Sequence, residues 1–511
     1  MDVAWILCSR REGKTMQKLD DSVQYVLNPE VRFRNDNGKC FLYTVDSFFH
    51  SVENLTVMTP LEVILLLLFE DGRTIEEVST SFSYVVDFQG DEGQAKLFTM
   101  NSLNNILERT NYDALLVNRT SLEPSIIKES ISRYDVSDFI IPKDNVKFCP
   151  RDLRLSIPLS VNYNVSTECG FHCVYCYHPL VPVKDYISLE RLDRIFAELK
   201  AGGCESFMLT GGDPMLRPDI IEIMELLHKH GIYYSLSTKS ILSKEKIIRM
   251  HDAGLDRIQL SIDSSTPQIV SNLLGVGLQY VDQFATMVRD FISIGVEVRL
   301  KMVLSSYNVE GLAEFLQWIK DLGVNRLHVV AYGRSGARHQ DSTFPTEKQM
   351  KEATAILWKF KNENPNFILE GGNSFEIGYN EPIDIDPQDK ARFFSKRAIC
   401  NAGRFSMTML PNGEVFVCEQ LPYDQKYVLG DLRVQSVYEC WNGERMQAWL
   451  SPPSREVFPV DSPCRSCEES LYQECHKLYS RCLRYIREFT GTTEGPDTKC
   501  PFATFPKTRI V

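Results

Sequence analysis

The chain has 511 residues, 43% of them hydrophobic and 24% charged, which suits a soluble globular protein of about three domains and excludes disorder, collagen or coiled coil as a description of the whole. The formal net charge of −12 argues against a general nucleic-acid binder. The longest apolar run, Val63–Phe69, is far too short to span a bilayer, and no charged segment followed by a small-residue cleavage site opens the chain.

Residues 1–100 begin with short extended segments, Val31–Arg34 and Cys40–Thr44, on either side of the turn-like Asn35-Asp36-Asn37-Gly38. Thr59 and Pro60 then open a helix through Leu61–Phe69, and Asp71-Gly72 stops it. Thr74 caps a second helix, Ile75–Ser81, with Glu77 at the capping-box position. Residues 101–158 read as a helix and a connector. From 159 to 333 the pattern alternates. Apolar extended segments are predicted at Val161–Val165, Ser206–Leu209, Tyr233–Ser237, Arg257–Ile262, Glu297–Val303 and Arg326–Ala331. The helices between them are Leu189–Ala201, Pro218–His230, Lys244–Ala253, Tyr280–Ile294 and Val309–Leu322, followed by Gly202, Gly231, Gly254, Gly295 and Gly323 at C-cap positions. Six such units predict parallel βαβ structure, too short for eight and therefore a partial barrel or an open sheet. Residues 334–398 form a polar insertion with one helix, Glu347–Lys361, and residues 399–511 hold eight cysteines with little periodicity, a region expected to need staples.

Fifteen cysteines with close-set groups suggest metal binding rather than disulfides. The densest group is Cys169-Gly170-Phe171-His172-Cys173-Val174-Tyr175-Cys176, directly after the first strand of the series. That places it at the C-terminal mouth of the sheet, where α/β folds bind ligands. Three thiolates on a short loop can hold three irons of a 4Fe–4S cluster and leave the fourth open; a zinc site is the alternative.

Cys169-x3-Cys173-x2-Cys176, with Tyr175 before the last cysteine, resembles the signature of radical S-adenosyl-L-methionine (SAM) enzymes. Gly211-Gly212-Asp213-Pro214 follows the second strand, where that family carries a Gly-Gly-Glu-Pro-like motif. The resemblance implies that Gly211, Gly212, Asp213 and Pro214 bind SAM, that Asp213 takes its ammonium, and that Ser237, Thr238, Ser261 and Asp263 at the next strand ends face the same cofactor. Many relatives carry an Arg soon after the fourth strand to grip the SAM carboxylate; here the stretch is Ser271-Asn272-Leu273-Leu274-Gly275, and Lys301 could substitute.

Cys400-x12-Gly413-x4-Cys418 and Cys464-x2-Cys467-x7-Cys475-x6-Cys482-x17-Cys500 resemble the SPASM extension of the same family, which binds two auxiliary 4Fe–4S clusters. The gaps of seven and six residues are longer than the family's usual ones. Position by position, the resemblance gives Cys400, Cys418 and Cys482 to the first auxiliary cluster. It gives Cys464, Cys467, Cys475 and Cys500 to the second. No cysteine lies just upstream of Cys400, so the first has an open iron, unless Cys440 reaches it. Two zinc sites are the alternative. Cys8, Cys40, Cys149 and Cys204 read as buried or incidental thiols. The N-terminal β-then-α module resembles the winged-helix-like element by which peptide-maturing relatives capture a leader peptide as an added strand.

The expected architecture is thus α/β: a partial (β/α)6 barrel, an N-terminal winged-helix-like module and a C-terminal cysteine-rich SPASM region. The expected function is modification of a ribosomally synthesised precursor peptide by a 5′-deoxyadenosyl radical generated from SAM at Cys169, Cys173 and Cys176. An open auxiliary iron favours a thioether crosslink. Carbon–carbon or carbon–oxygen crosslinking, epimerisation with Cys440 or Cys204 returning a hydrogen, sulfatase-type maturation, and a zinc-stapled peptide-binding scaffold are the alternatives. Three 4Fe–4S clusters and SAM are the expected cofactors. A flavodoxin or ferredoxin is the expected donor, in a reducing cytoplasm, with no nucleic-acid or membrane partner.

Overall fold

The computed structural model describes residues 19–503 except 47, 49, 50, 70, 111, 113, 114, 132, 179–182, 184, 334–337, 372–393, 395, 396 and 398; Cys8 lies outside the described residues. The chain divides into two compact units, Met1–Ser156 and Ile157–Val511.

In the first unit, β1 (Tyr25–Leu27) pairs antiparallel with β5 (Leu116–Asn118), and β2 (Val31–Asp36), β3 (Lys39–Val45) and β4 (Val52–Met58) form an antiparallel sheet in that order. Asn37 and Gly38, at φ 55° and 90°, make the turn predicted between β2 and β3. β4 escaped the sequence reading. Its period is broken where Asn54 takes φ 53° and the register with β3 shifts. The helix Pro60–Leu67 is closed at its start by a reciprocal box: the Glu62 amide donates to Thr59 Oγ1 at 3.3 Å, and the Thr59 amide donates to the Glu62 carboxylate at 2.7 Å. The helix predicted at Ile75–Ser81 runs on to Val85, because Phe82 extends the buried stripe of Ile75 and Val78. The next helix, Glu92–Thr110, buries Ala95, Thr99, Leu103, Ile106 and Leu107 on one face. These helices pack over β2 and β3 in one apolar core.

In the second unit all six predicted strands form: β6 (Ser160–Ser166), β7 (Ser206–Gly211), β8 (Tyr233–Thr238), β9 (Arg257–Ser261), β10 (Glu297–Leu304) and β11 (Arg326–Ala331). They are consecutive, parallel neighbours. The sheet is larger than the six units expected. β12 (Ile368–Glu370) adds in parallel beside β11, and β13 (Ser406–Met409) adds in parallel beside β6. From β13 the sheet continues antiparallel through β14 (Glu414–Phe416) and β15 (Val428–Asp431), making ten strands.

This changes the expectation for residues 399–511. Met407, Met409, Val415, Val428, Trp441 and Met446 lie in the same apolar core as β6–β11, so the first part of that region needs no staple of its own. Further on, Phe458, Cys464 and Tyr472 make a small separate cluster. The helix Pro267–Leu274 was also not predicted. Gly202 itself stays right-handed at φ −80°, and Gly203, at φ 80°, makes the turn out of Leu189–Ala201.

Candidate active site

The loop after β6 carries Cys169, Cys173 and Cys176, and its backbone is clamped from two sides. On one side the Gly212 amide donates to the Ser166 carbonyl at 2.8 Å and the Asp213 amide to the Glu168 carbonyl at 2.7 Å. Gly211, at φ 139°, and Gly212 permit this approach. A Cβ on Gly211 would stand 1.9 Å from the Ser166 oxygen, and one on Gly212 would stand 2.1 Å from the Glu168 oxygen. The sequence reading had these glycines approaching a small ligand; within the described chain, what they approach is the start of the cysteine loop. On the other side the amides of His172 and Val174 donate to the carbonyls of Leu274 and Leu273 at 2.9 and 3.0 Å. The loop thereby satisfies the last carbonyls of the helix Pro267–Leu274. The stretch Ser271–Gly275, which lacks the family's arginine, serves here as a backbone clamp.

Of the predicted polar residues, Asp213 with Thr238 and Asp263 with Tyr175 form two pairs at this loop. Asp213, 2% exposed, accepts the Thr238 hydroxyl on both oxygens at 2.8 and 2.9 Å, the Met215 amide at 2.9 Å and the Lys239 amide at 3.3 Å. It therefore ties the ends of β7 and β8 together and caps the turn Pro214–Leu216. Asp263, also 2% exposed, accepts the Tyr175 hydroxyl and the Val303 amide. Burial first, and the Asp263 carboxylate next, push the Tyr175 phenol well above its usual range. Ser237 accepts the Gln259 amide at 2.8 Å, and Ser261 is buried in register with Lys301 on β10. Lys301, the anchor considered from the sequence, is in turn in register with His328 on β11.

Lys239 and Arg217, not singled out from the sequence, also lie beside these strand ends. Lys239 follows β8, and its ammonium stands 5.8 Å from the Tyr175 ring centre. Burial works against its charge, but Cys173, Asp263, Cys176 and Asp213 outweigh burial and hold the ammonium above its usual range. Arg217 is 1% exposed. It pairs with Asp219 at 2.6 Å and donates to the Tyr163 hydroxyl at 3.0 Å and to the carbonyls of Val165 and Ile187 at 3.2 Å. It thus knots the end of β6 to the segment leading into the helix Leu189–Ala201.

Burial raises two of the loop thiols. Cys169 is raised, and Cys173 is pushed up to about 11; the Cys176 thiol acts on both, and Cys169 acts on Cys173. Three thiols on one loop, Cys173 buried and Cys169 and Cys176 half-buried, with the cations of Lys239 and Arg338 beside them, are a fitting donor set for an iron–sulfur cluster. Among the described residues, no three Cys, His, Asp or Glu side chains are drawn in to the spacing a single metal ion needs. A multi-iron cluster holds its thiolates further apart than one ion does.

The C-terminal cysteines fall into two sets. The Cys400 and Cys482 thiols both act on Cys418, and Cys400 acts on Cys482, which burial pushes up to about 12. Cys464 and Cys467 act on Cys500, and Cys500 acts on Cys475; burial pushes these two up to about 11 and about 12. Asp497, 5% exposed, lies between the sets and acts on Cys482, Cys464, Cys475 and Cys500. Cys475 and His476 sit on a π-helical turn, Glu474–Tyr479. His476 is held neutral, down to about 3, by burial and by Arg481, Arg397 and Arg455. Cys440 packs against Gly430 in the main core, with Asp431, Glu439 and Arg191 as the charges acting on it. Cys204 is likewise buried and donates to the Leu159 carbonyl at 3.4 Å.

A family model described as the radical SAM superfamily matches residues 163–329, and one described as the SPASM iron–sulfur cluster-binding domain matches residues 400–468. The chain thus carries a radical SAM domain followed by a SPASM domain. Among curated relatives, the PqqA peptide cyclase of Rhizobium meliloti (strain 1021) is 23% identical over 370 residues, covering 70% of this chain and 90% of the relative. That of Ruegeria pomeroyi is 23% identical over 325 residues, covering 62% and 81%. Streptococcus suis SuiB, in its crystal structure bound to precursor peptide SuiA, is 16% identical with a TM-score of 0.55 over 93% of this chain and 99% of SuiB. At that identity the likeness to SuiB concerns the fold. Among the described residues of this radical SAM enzyme no helix is long and apolar enough to cross a membrane.

Proposed function

We propose that this radical SAM enzyme installs a crosslink in a ribosomally synthesised precursor peptide. The observation that carries the reading is the gathering of Cys169, Cys173 and Cys176 with Lys239, Asp213 and Asp263 at the C-terminal ends of β6–β9. Cys169, Cys173 and Cys176 hold a 4Fe–4S cluster with one iron left for SAM. With cluster and SAM bound, reductive cleavage of SAM supplies a 5′-deoxyadenosyl radical that can take a hydrogen atom from a peptide carbon. The chain's own contribution is placement. The clamped loop fixes the three thiolates, Asp213 and Thr238 lock the neighbouring turn, and the buried strand ends limit water at the mouth.

Peptide as substrate is supported by the curated relatives, which are peptide cyclases, and by SuiB, which was crystallised with a precursor peptide. The three-stranded sheet β2-β3-β4 leaves β2 and β4 as edges on which a leader can add as a strand. Cys400, Cys418 and Cys482 carry a first auxiliary 4Fe–4S cluster; Cys464, Cys467, Cys475 and Cys500 carry a second, giving three clusters in all. The first set has three thiols, which leaves an iron for a substrate cysteine and favours a thioether. A carbon–carbon or carbon–oxygen crosslink is the second reading, favoured by the cyclase relatives. A flavodoxin or ferredoxin in the cytoplasm supplies the electron.

Co-expression with the short reading frames encoded beside this chain, followed by mass spectrometry, tests the reading. The expected product has lost two hydrogens, and one of its cysteines no longer alkylates. An unchanged mass, with every cysteine still alkylated, contradicts it.

A further inference from the structure

Lys239 is fixed at both ends of its peptide unit. Its amide donates to Asp213 Oδ2 at 3.3 Å, and its carbonyl accepts the Tyr280 hydroxyl at 2.6 Å. So held, the side chain carries its ammonium to the face of Tyr175, 5.8 Å from the ring centre, next to Cys176 in the chain. Asp263, bonded to the Tyr175 hydroxyl, and Asp213, bonded to Thr238, bring two carboxylates that are each 2% exposed to the same mouth. Three thiolates beside two buried carboxylates make a strongly negative neighbourhood, and an added electron is opposed by all of them. The Lys239 ammonium at Tyr175 offsets part of that repulsion, and the Arg338 guanidinium, which donates to the Cys173 carbonyl at 3.3 Å, brings a second cation to the loop.

We propose that Lys239 is a counter-charge of the cluster held by Cys169, Cys173 and Cys176, and that its ammonium at the Tyr175 ring eases that cluster's reduction. The proposal rests on the reading that those three thiolates hold a 4Fe–4S cluster. Lys239 is here a positioning charge rather than a catalytic residue. It acts through the field at the cluster, because reduction potential follows local charge, hydrogen bonding and exposure.

An anaerobic redox titration of the full-length, iron-loaded protein without SAM tests this. It follows the electron paramagnetic resonance signal that disappears in C169A/C173A/C176A. Lys239→Met is expected to shift the reduction equilibrium about tenfold or more toward the oxidised form, equivalent to about 59 mV for a one-electron couple. Lys239→Arg is expected to stay within about threefold of the unmodified protein, since it restores the charge. Lys239→Gln serves as a second neutral variant. An unchanged equilibrium in either iron-loaded neutral variant, or an equal shift in Lys239→Arg, overturns the proposal. Loss of iron in both neutral variants but not in Lys239→Arg supports it, and loss in all three overturns it. Absence of the signal from the unmodified protein defeats the underlying cluster reading instead.

Discussion

Replacing Cys169, Cys173 and Cys176 together with alanine is expected to abolish 5′-deoxyadenosine formation while the chain stays folded. The two halves of that expectation rest on different bonds. The loop is held by backbone hydrogen bonds from Gly212, Asp213, His172 and Val174, none of which uses a thiol. Of the three cysteines only Cys173 is fully buried, so the packing lost on truncation is small, about 1 kcal/mol for that side chain. The chemistry, in contrast, depends on the thiols, and His172, the histidine between the first two of them, sits on the loop surface with its amide bonded to Leu274. Chromatography of the reaction products against far-ultraviolet circular dichroism separates the two halves. Turnover that persists in the folded triple variant refutes the assignment of these thiols.

The second large effect is expected at Gly212. A Cβ there would stand 2.1 Å from the Glu168 carbonyl oxygen and 3.0 Å from that of Thr167. Both are backbone atoms, which cannot swing aside as a flexible side chain would. Gly212→Ala must therefore push the start of the cysteine loop away from the end of β7 and break the bonds to Ser166 and Glu168. A loss of about 2–4 kcal/mol in stability is expected, with a drop of about 100-fold in SAM cleavage from a misplaced loop. Gly170 gives the comparison within the same loop, because a Cβ there meets nothing within 4 Å. Gly170→Ala is expected to stay within about threefold of the unmodified protein. Thermal unfolding and initial rates of the two variants check this; equal behaviour of the pair contradicts the clamp.

Much of this arrangement could be read from the sequence because the chemistry and the strands are local. β6–β11 announce themselves as segments of five to eight residues with recurring apolar positions between amphipathic helices. The three-cysteine loop follows the first of them directly. β12 and β13 could not be read. They have three and four residues, and β13 gains its identity only by pairing with β6, far away in the chain. The grouping of the C-terminal cysteines came from family resemblance alone, since spacing does not say which thiols meet.

Lys239 and Arg217 were missed for a shared reason. A lysine at a strand end or an arginine before a proline ordinarily reads as solvent-facing charge. Their roles appear only when Tyr175, Tyr163 and Asp219 are brought beside them. The tyrosines themselves were a signal: Tyr163 on a buried strand and Tyr175 between two cysteines each need a polar partner for the hydroxyl. For Tyr163 that partner is Arg217, and for Tyr175 it is Asp263.

The central claim is that three thiolates from one loop leave an iron available to SAM, and Mössbauer spectroscopy of protein loaded with isotopically enriched iron tests it most directly. On addition of SAM, a single iron of the cluster missing from C169A/C173A/C176A is expected to become distinct from the other three. Identical spectra with and without SAM, or zinc found in place of iron at those cysteines, would contradict the account.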